Sequence, residues 1–453
     1  MKRVCVIGAG PSGMNLLGQL NRLRDRGIPV EATCYEKQDR PGGLWNLTWR
    51  TGVDEWGEPQ HCSQYQHLFS NGPKECLELP EYTFEDHFGK PIPSFPPRRV
   101  LLDYLEGYWR HLGVDAVQDV RTSHCVREVS FDDATRKFTV RASDLARSRD
   151  EVAEFDHVVV ASGHFSTPNL PAFAGADTFP GRVLHAHDFR SAREFAGERV
   201  LLVGASYSAE DLALQCLKFG ARTITISYRT RPMNFDFPHP VEQLPLLEHI
   251  DGARCWFRDG TRRDVDAIVL CTGYRHHFPF MAPELRLECA NLLHPPDLYR
   301  GVQWRGTSPG KRDAGDGQLF YLGMQNQSYT FTMFMLQGLW TAHVIKGLLV
   351  TPDRAACRRD VHAMHASNAA LVDVVDRIGS QTAYVKQLAD DVAYERDVDV
   401  TDRFLAFQAH KRADIVTYRD HSHASKHTGR PSPRHRTAWL DLMDDSIEAY
   451  IDG

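Results

Sequence analysis

The stretch Val6-Ile7-Gly8-Ala9-Gly10-Pro11-Ser12-Gly13 constrains this chain more than any other. It follows a short apolar run, Val4 to Ile7, that reads as a buried parallel strand. Beyond it, Met14, Leu16, Leu17, Leu20 and Leu23 recur at helical spacing, which predicts an amphipathic helix over Met14–Leu23. Strand, glycine turn and helix in that order distinguish a dinucleotide fingerprint from a chance run of glycines. Gly8 permits the tight turn, Gly10 lets a pyrophosphate approach the backbone, and Gly13 lets helix and strand pack closely. The helix N-terminus offers free N–H groups and a positive dipole end to phosphate. A second apolar run, Val30 to Tyr35, ends in Glu36, at the distance expected of a carboxylate that grips ribose hydroxyls. A glycine-rich turn with no ligand is the alternative, and it explains neither the flanking elements nor Glu36.

With 453 residues the chain can bury a large core in two or three domains. A net charge of -6 implies neither a nucleic-acid surface nor an acidic tail. The ten cysteines are scattered with no C-x-x-C pair, which fits buried free thiols in a reduced cytosol and argues against a zinc site or a redox disulfide. The first strand begins almost at Met1, leaving no room for a signal peptide, and no apolar run reaches the length of a membrane span. The expectation is a cytoplasmic protein with no membrane partner; whether it is a homodimer is open.

Pro41-Gly42-Gly43-Leu44-Trp45-Asn46 sets two glycines before a large aromatic, which suits backbone passing close to a flat ligand; a turn followed by a core Trp is the alternative. The polar, aromatic-rich stretch from Thr48 to Pro97 has little periodicity, and long irregular segments in compact proteins are usually functional. Within it, Ser70-Asn71-Gly72-Pro73 forms a turn from which Asn71 could present its amide inward. Pro96 and Pro97 open a helix to about His111. Strands are expected near Val126–Phe131, Lys137–Arg141 and Phe155–Gly163.

A second dinucleotide turn follows. Arg199–Val203 reads as a strand, and Gly204-Ala205-Ser206-Tyr207-Ser208-Ala209 opens a helix to about Lys218, with Ser206 and Ala209 where the later glycines usually stand. The next strand, Thr223–Tyr228, ends in Arg229-Thr230-Arg231 with no acid at its tip. Guanidinium groups there attract a 2′-phosphate that a carboxylate would repel, which points to NADP over NAD; solvated surface charge is the alternative. FDHVVVASG (155–163) and VDAIVLCTG (265–273) look like two crossings between nucleotide-binding domains. The expected architecture is therefore α/β, with two Rossmann-like domains. The NADPH domain (169–276) is inserted into a discontinuous FAD domain (1–168 and 277–453). Leu319–Gly323 is expected as a late strand, Phe331–Leu349 as a buried helix, Ala355–Gly379 as one amphipathic helix, and the acidic Leu440–Tyr450 as helix-like. His421, His423, His427 and His435 sit among cations without a ligand set at metal spacing, so no metal is expected.

Two nucleotide folds, the GGxW element and Phe179-Pro180-Gly181-Arg182-Val183-Leu184-His185-Ala186-His187-Asp188-Phe189-Arg190 together resemble the flavin-containing monooxygenases. Phe179, Gly181, His185 and Phe189 match that family's F-x-G-x-x-x-H-x-x-x-[FY] identifier. Phe189-Arg190, where Baeyer–Villiger relatives carry Trp, favours the amine- and sulfur-oxidising branch. The similarity runs the length of the chain, through SNGPKE, SYSAED, CTGYRHHFPF, GMQNQ and YRDHS, and is greatest to the soluble bacterial members that include trimethylamine monooxygenases.

The resemblance implies FAD and NADPH as cofactors, O2 as co-substrate, and a C4a-hydroperoxyflavin, protected by bound NADP+, that oxygenates a soft nitrogen or sulfur nucleophile. Gly8, Gly10, Pro11, Ser12, Gly13 and Glu36, with Lys37, Gly43, Leu44 and Trp45, are the implied FAD residues. Gly204, Ser206, Tyr207, Ser208, Arg229 and Thr230 are implied for NADPH, with Gln325 and Gln327 toward its nicotinamide end. Asn71 and Tyr207 are the implied catalytic side chains, and no protein nucleophile is required because the cofactor carries the chemistry. Ser328, Tyr329 and Phe331 are the implied substrate pocket.

One departure stands out. Trimethylamine-oxidising relatives read Gln-x-Gln-Trp-Tyr where this chain has Gln325-Asn326-Gln327-Ser328-Tyr329. Losing that Trp removes a wall of an aromatic cage for a small cation and predicts a bulkier amine, thioether or indole-like substrate. The extra polar loop Gly306–Gly317 suggests no role. A Baeyer–Villiger oxygenase, an NADPH-dependent flavin reductase and a flavoprotein sensor are the competing classes.

Overall fold

The computed structural model describes residues 1–115, 117–289 and 292–452. Strand β1 (Lys2–Ile7) runs into helix α1 (Pro11–Arg22), and β2 (Val30–Tyr35) returns parallel to β1 with Val4 opposite Ala32 and Val6 opposite Cys34. The segment after β2 is held by a short helix α2 (Phe84–Phe88), capped at both ends by Thr83 and a left-handed Gly89. Helix α3 (Arg98–His111) starts directly after Pro97, as the diproline predicts. Then come the short β3 (Val120–Arg121), a meander of β4 (His124–Asp132), β5 (Lys137–Asp144) and β6 (Arg149–Phe155), and the buried β7 (His157–Val160).

The chain next builds a second sheet. Its strands are β8 (Arg182–His185), β9 (Arg199–Val203), β10 (Thr223–Tyr228), β11 (Val241–Pro245) and, after a small meander of β12 (Leu247–Asp251), β13 (Arg254–Phe257) and β14 (Arg262–Asp264), β15 (Ala267–Leu270). Helix α4 (Tyr207–Lys218) joins β9 to β10. The order is β11-β10-β9-β15-β8 and every pairing is parallel, as in a doubly wound nucleotide fold.

Afterwards the chain re-enters the first sheet through β16 (Leu298–Tyr299), β17 (Gln303–Trp304) and β18 (Leu319–Tyr321), giving the order β16-β17-β18-β7-β1-β2-β3. Helix α5 (Thr330–Ile345) packs on α1, where Gly338 faces the Asn15–Leu16 backbone so closely that an added Cβ would sit 3.1 Å from Leu16 N. Helices α6 (Arg354–Ala369), α7 (Val374–Asp391), α8 (Thr401–Ala413) and the short α9 (Ile447–Asp452) complete the chain. No helix among the described residues is long and apolar enough to cross a membrane.

The expected single helix over Ala355–Gly379 is two. Asp373 caps α7 by accepting from Val375 and Asp376 N–H, and a capping box of this kind starts a new helix. Strand β6 was not expected, because its exposed Arg149, Asp150 and Val152 hide the alternation. Helix α8 was missed for a like reason: its apolar face is confined mainly to Phe404 and Phe407 among charges. Of the acidic Leu440–Tyr450, only the part from Ile447 is helical.

Candidate functional site

At the end of β1 the chain turns at Gly8, whose φ of 101° would be strained in any other residue and whose Cβ would meet Ala161 O at 2.8 Å. A Cβ on Gly13 would lie 2.0 Å from Gly8 O, so that glycine serves helix–strand contact. A Cβ on Gly10 would find nothing nearer than Gly43 Cα at 3.6 Å, which leaves an open cradle between the two glycines. Helix α1 has no side-chain cap and no acid in its first turn. The orphan N–H groups of Ser12 and Gly13 therefore await an anion, while Pro11 has none to lose.

Glu36 is buried, and its position is fixed from two sides: Oε2 accepts from Ala9 N at 2.7 Å and Oε1 from Gln38 N at 2.8 Å. Burial pushes its carboxyl above the usual range, and those backbone N–H groups pull the other way. Lys37 at the rim donates to Pro59 O. Gly43, Leu44 and Trp45 form a 3₁₀ turn, and the Trp45 ring meets Phe331 edge-on at 5.9 Å.

The second turn repeats the first with smaller tolerance. Gly204 has φ 129°, and a Cβ there would lie 2.3 Å from Cys271 O. Ser206 begins α4 without using its side chain as a cap, so the N–H groups at Tyr207 and Ser208 are open. Arg229 and Thr230, at the tip of β10, are exposed, and neither Arg229 nor Arg231 forms an ion pair with a described residue.

Both turns open on one cavity of about 1480 Å³. A single small-molecule site usually spans about 300–1,000 Å³, so this cavity has room for two ligands. Its walls include Asn71, Tyr207, Gln325, Gln327, Ser328 and Phe331, together with Gly8, Gly10, Pro11 and Ser12 of the first phosphate turn and Gly204 to Ser208 of the second. Gln327 has both amide atoms buried without a hydrogen-bond partner, as expected of a group that awaits a ligand. Gln325 differs. Its Nε2 donates to Gly301 O at 2.5 Å and its Oε1 accepts from Gln337 at 2.9 Å, so it shapes the wall without a free amide. Tyr329 does not line the cavity. Its hydroxyl is tied to Thr382 at 2.8 Å and to Val400 N at 3.2 Å, and its ring packs on Phe404, which makes it a core residue.

Asn71 and Tyr207 are each supported by a cation from the C-terminal part of the chain. Arg419 Nη2 donates to Asn71 Oδ1 at 3.3 Å and to Asp211 Oδ1 at 2.6 Å. Lys411 Nζ stands 4.8 Å above the Tyr207 ring and 2.7 Å from Glu210 Oε1. Tyr207 is 47% exposed; desolvation of its hydroxyl and then Glu210 push its pKa up, while the Ser328 and Gln408 side chains lower it. Glu210, Asp211 and Arg419 fall within the SYSAED and YRDHS motifs, but neither they nor Lys411 were assigned a role from the sequence. Two consecutive acids on the buried side of α4, in a chain with a basic tail, were the available signal.

The identifier segment lies in the second sheet and its loops. His185 Nδ1 accepts from His187 N at 3.0 Å, and burial holds the His185 ring down to about 4. Phe189 stacks on Phe195 and meets Tyr65 edge-on. Arg190 donates to the carbonyls of His187, Phe189, Arg50 and Cys62, so it fastens the irregular Thr48–Pro97 segment to the second sheet.

Paired phosphate turns on one cavity define a two-dinucleotide flavoprotein, and the model of the flavin-binding monooxygenase-like family matches residues 1–233 and 244–413. The chain belongs to that family: it is a flavin monooxygenase that uses FAD and NADPH to oxygenate nitrogen or sulfur nucleophiles, and the Baeyer–Villiger alternative is not favoured. It is 48% identical to the trimethylamine monooxygenase of Roseovarius nubinhibens over 99% of each chain. The crystal structure of Tmm from Pelagibacter sp. superposes with a TM-score of 0.93 at 41% identity, covering 99% of this chain and 100% of that one. The S-allyl-L-cysteine S-oxygenase of Allium sativum gives a TM-score of 0.78 at 25% identity, over 93% and 95% of the two chains.

Proposed function

We propose that this monooxygenase acts on a tertiary amine or thioether bulkier than trimethylamine. The observation that carries this reading is Ser328 on the cavity wall with the neighbouring Tyr329 turned into the core, which leaves open volume where an aromatic wall would otherwise close the pocket. Phe331 and Trp45 supply the apolar face that remains.

FAD would lie with its pyrophosphate on Ser12 and Gly13 N–H and its ribose on Glu36, beside Gly43, Leu44 and Trp45. The open Gly10–Gly43 cradle and the uncapped α1 fit that group. NADPH would lie on Gly204, Ser206 and Ser208, its 2′-phosphate against Arg229 and Thr230, with the unpartnered Gln327 amide toward its carboxamide. Bound FAD, reduced by NADPH, supplies the redox and oxygen chemistry. The protein binds, orients and keeps water out. Asn71 directs an amide N–H into the cavity, Tyr207 stands on its wall with Ser328 and Gln408, and the aromatic walls exclude solvent. We assign residues 169–276 to the NADPH domain and the flanking parts to the FAD domain, in keeping with the strand membership of the two sheets. A cytoplasmic location suits ten free cysteines, of which most are buried.

Steady-state NADPH oxidation with product analysis tests this. Stoichiometric N-oxide or S-oxide from bulky tertiary amines and sulfides, at a higher kcat/KM than trimethylamine, is expected. A higher kcat/KM for trimethylamine would overturn the size assignment, and lactone formation from a cyclic ketone would overturn the reaction class.

A further inference from the structure

We propose that Arg419 is a positioning residue for oxygenation: it holds the Asn71 carboxamide with its oxygen toward the protein and its nitrogen toward the cofactor cavity. A guanidinium has only donors, so the Asn71 atom facing Arg419 Nη2 at 3.3 Å must be Oδ1. Nδ2 is then directed away from Arg419, and Asn71 is an exposed residue that lines the cavity. A free amide rotor could offer either end to a ligand, whereas this one offers a donor.

The guanidinium is itself immobile. Its side chain is sealed from solvent, Nε donates to Ser70 O at 3.2 Å, and Nη2 meets Asp211 Oδ1 at 2.6 Å. The Trp439 and Tyr418 rings lie 4.3 and 4.8 Å from its central carbon. The other Asp211 oxygen accepts from the Tyr65 hydroxyl. Asp211 lies one turn into α4, whose N-terminus at Ser206–Ser208 is the NADPH phosphate end in the reading above, on which this inference rests. Two hydrogen bonds thus connect the nucleotide-binding helix to Asn71. Movement of that helix when the nucleotide binds is transmitted to the amide that faces the cavity.

The test uses FAD-loaded enzyme with Arg419→Lys, Asn71→Ala and the double variant. The readouts are hydrogen peroxide formed per molecule of oxygenated product and the flavin absorbance difference spectrum on adding NADP+. Arg419→Lys keeps the charge beside Asp211 but cannot bridge Ser70 O and Asn71 together. With a sulfide or tertiary amine present, it is expected to raise the peroxide formed per molecule of oxygenated product about tenfold, the scale of one charged hydrogen bond, and to alter the difference spectrum. In the Asn71→Ala background it is expected to change neither further. Asp211→Glu, which keeps both charges and shifts the link, is the second variant and is expected to move the ratio in the same direction. An Arg419→Lys effect that is absent, or equally large with Asn71 removed, overturns the role of Arg419. An Asn71→Ala enzyme with unchanged ratio and spectrum overturns the assignment of Asn71 as well.

Discussion

Lys411 and Glu210 meet at 2.7 Å with both side chains nearly sealed from solvent, at 2% and 6% exposure. Burial pushes the Glu210 carboxyl up and the Lys411 ammonium down, while each partner opposes the shift of the other. Removing one member strands a buried charge, so Lys411→Met or Glu210→Gln should each cost about 3–5 kcal/mol in urea unfolding. The double substitution should cost less than either single one. Equal or additive losses would mean that the two charges do not depend on one another.

Gly10 and Gly13 should fail differently when replaced by alanine. At Gly13 the added methyl collides with Gly8 O, and the variant should not fold stably. At Gly10 it fits the protein, 3.6 Å from Gly43 Cα, but occupies the phosphate approach. Gly10→Ala should therefore keep its apo melting temperature and lose flavin absorbance after gel filtration.

Arg229→Ala tests the nucleotide preference. A guanidinium–phosphate hydrogen bond contributes about 1.5–3 kcal/mol, so KM for NADPH should rise roughly 10- to 100-fold while KM for NADH stays within a few-fold. An equal rise for both nucleotides would place Arg229 away from the 2′-phosphate.

Ser328→Trp should close the pocket. Its kcat/KM for trimethylamine should rise and that for bulky sulfides should fall, reversing the proposed ratio. Because Ser328 and Tyr207 line the same cavity, NADP+ affinity should be measured alongside.

Three buried histidines predict acid sensitivity. Burial holds His157, His185 and His294 each down to about 4, against an ordinary value near 6.5. Between those values the unfolded chain takes up protons that the folded chain refuses. The stability they contribute is fully present above about pH 6.5 and is lost as pH falls toward 4. The melting temperature should drop steadily below pH 6.5, and His157→Gln should flatten part of that slope.

The nucleotide-binding half of the site was legible because local chemistry dictates it. Gly8 needs a positive φ, Gly13 needs contact, and Glu36 sits at the end of a strand whose register with β1 places it beside Ala9. The catalytic half was less legible, since its geometry comes from distant residues. Nothing near Asn71 in the chain announces Arg419, and nothing near Tyr207 announces Lys411. The resemblance implies Tyr329 in the pocket beside Ser328, yet the turn that starts α5 sends its ring to Phe404 instead. Helices α6 and α7 read as one because both carry similar polar surfaces, and the break depends on the Asp373 cap alone.

The tail closes on the start of the chain: Arg419 reaches Asn71, and Asp445 accepts from His67 N at 2.9 Å across 378 positions. During synthesis the first glycine turn and its strand emerge early and can pair with β2 at once. The Asn71 loop must wait, unbraced, until Arg419 and Asp445 have left the ribosome. Contacts of such separation form late, because the long chain between them must first be closed into a loop. A chain clipped before Arg419 would keep both phosphate turns and lose the brace on Asn71.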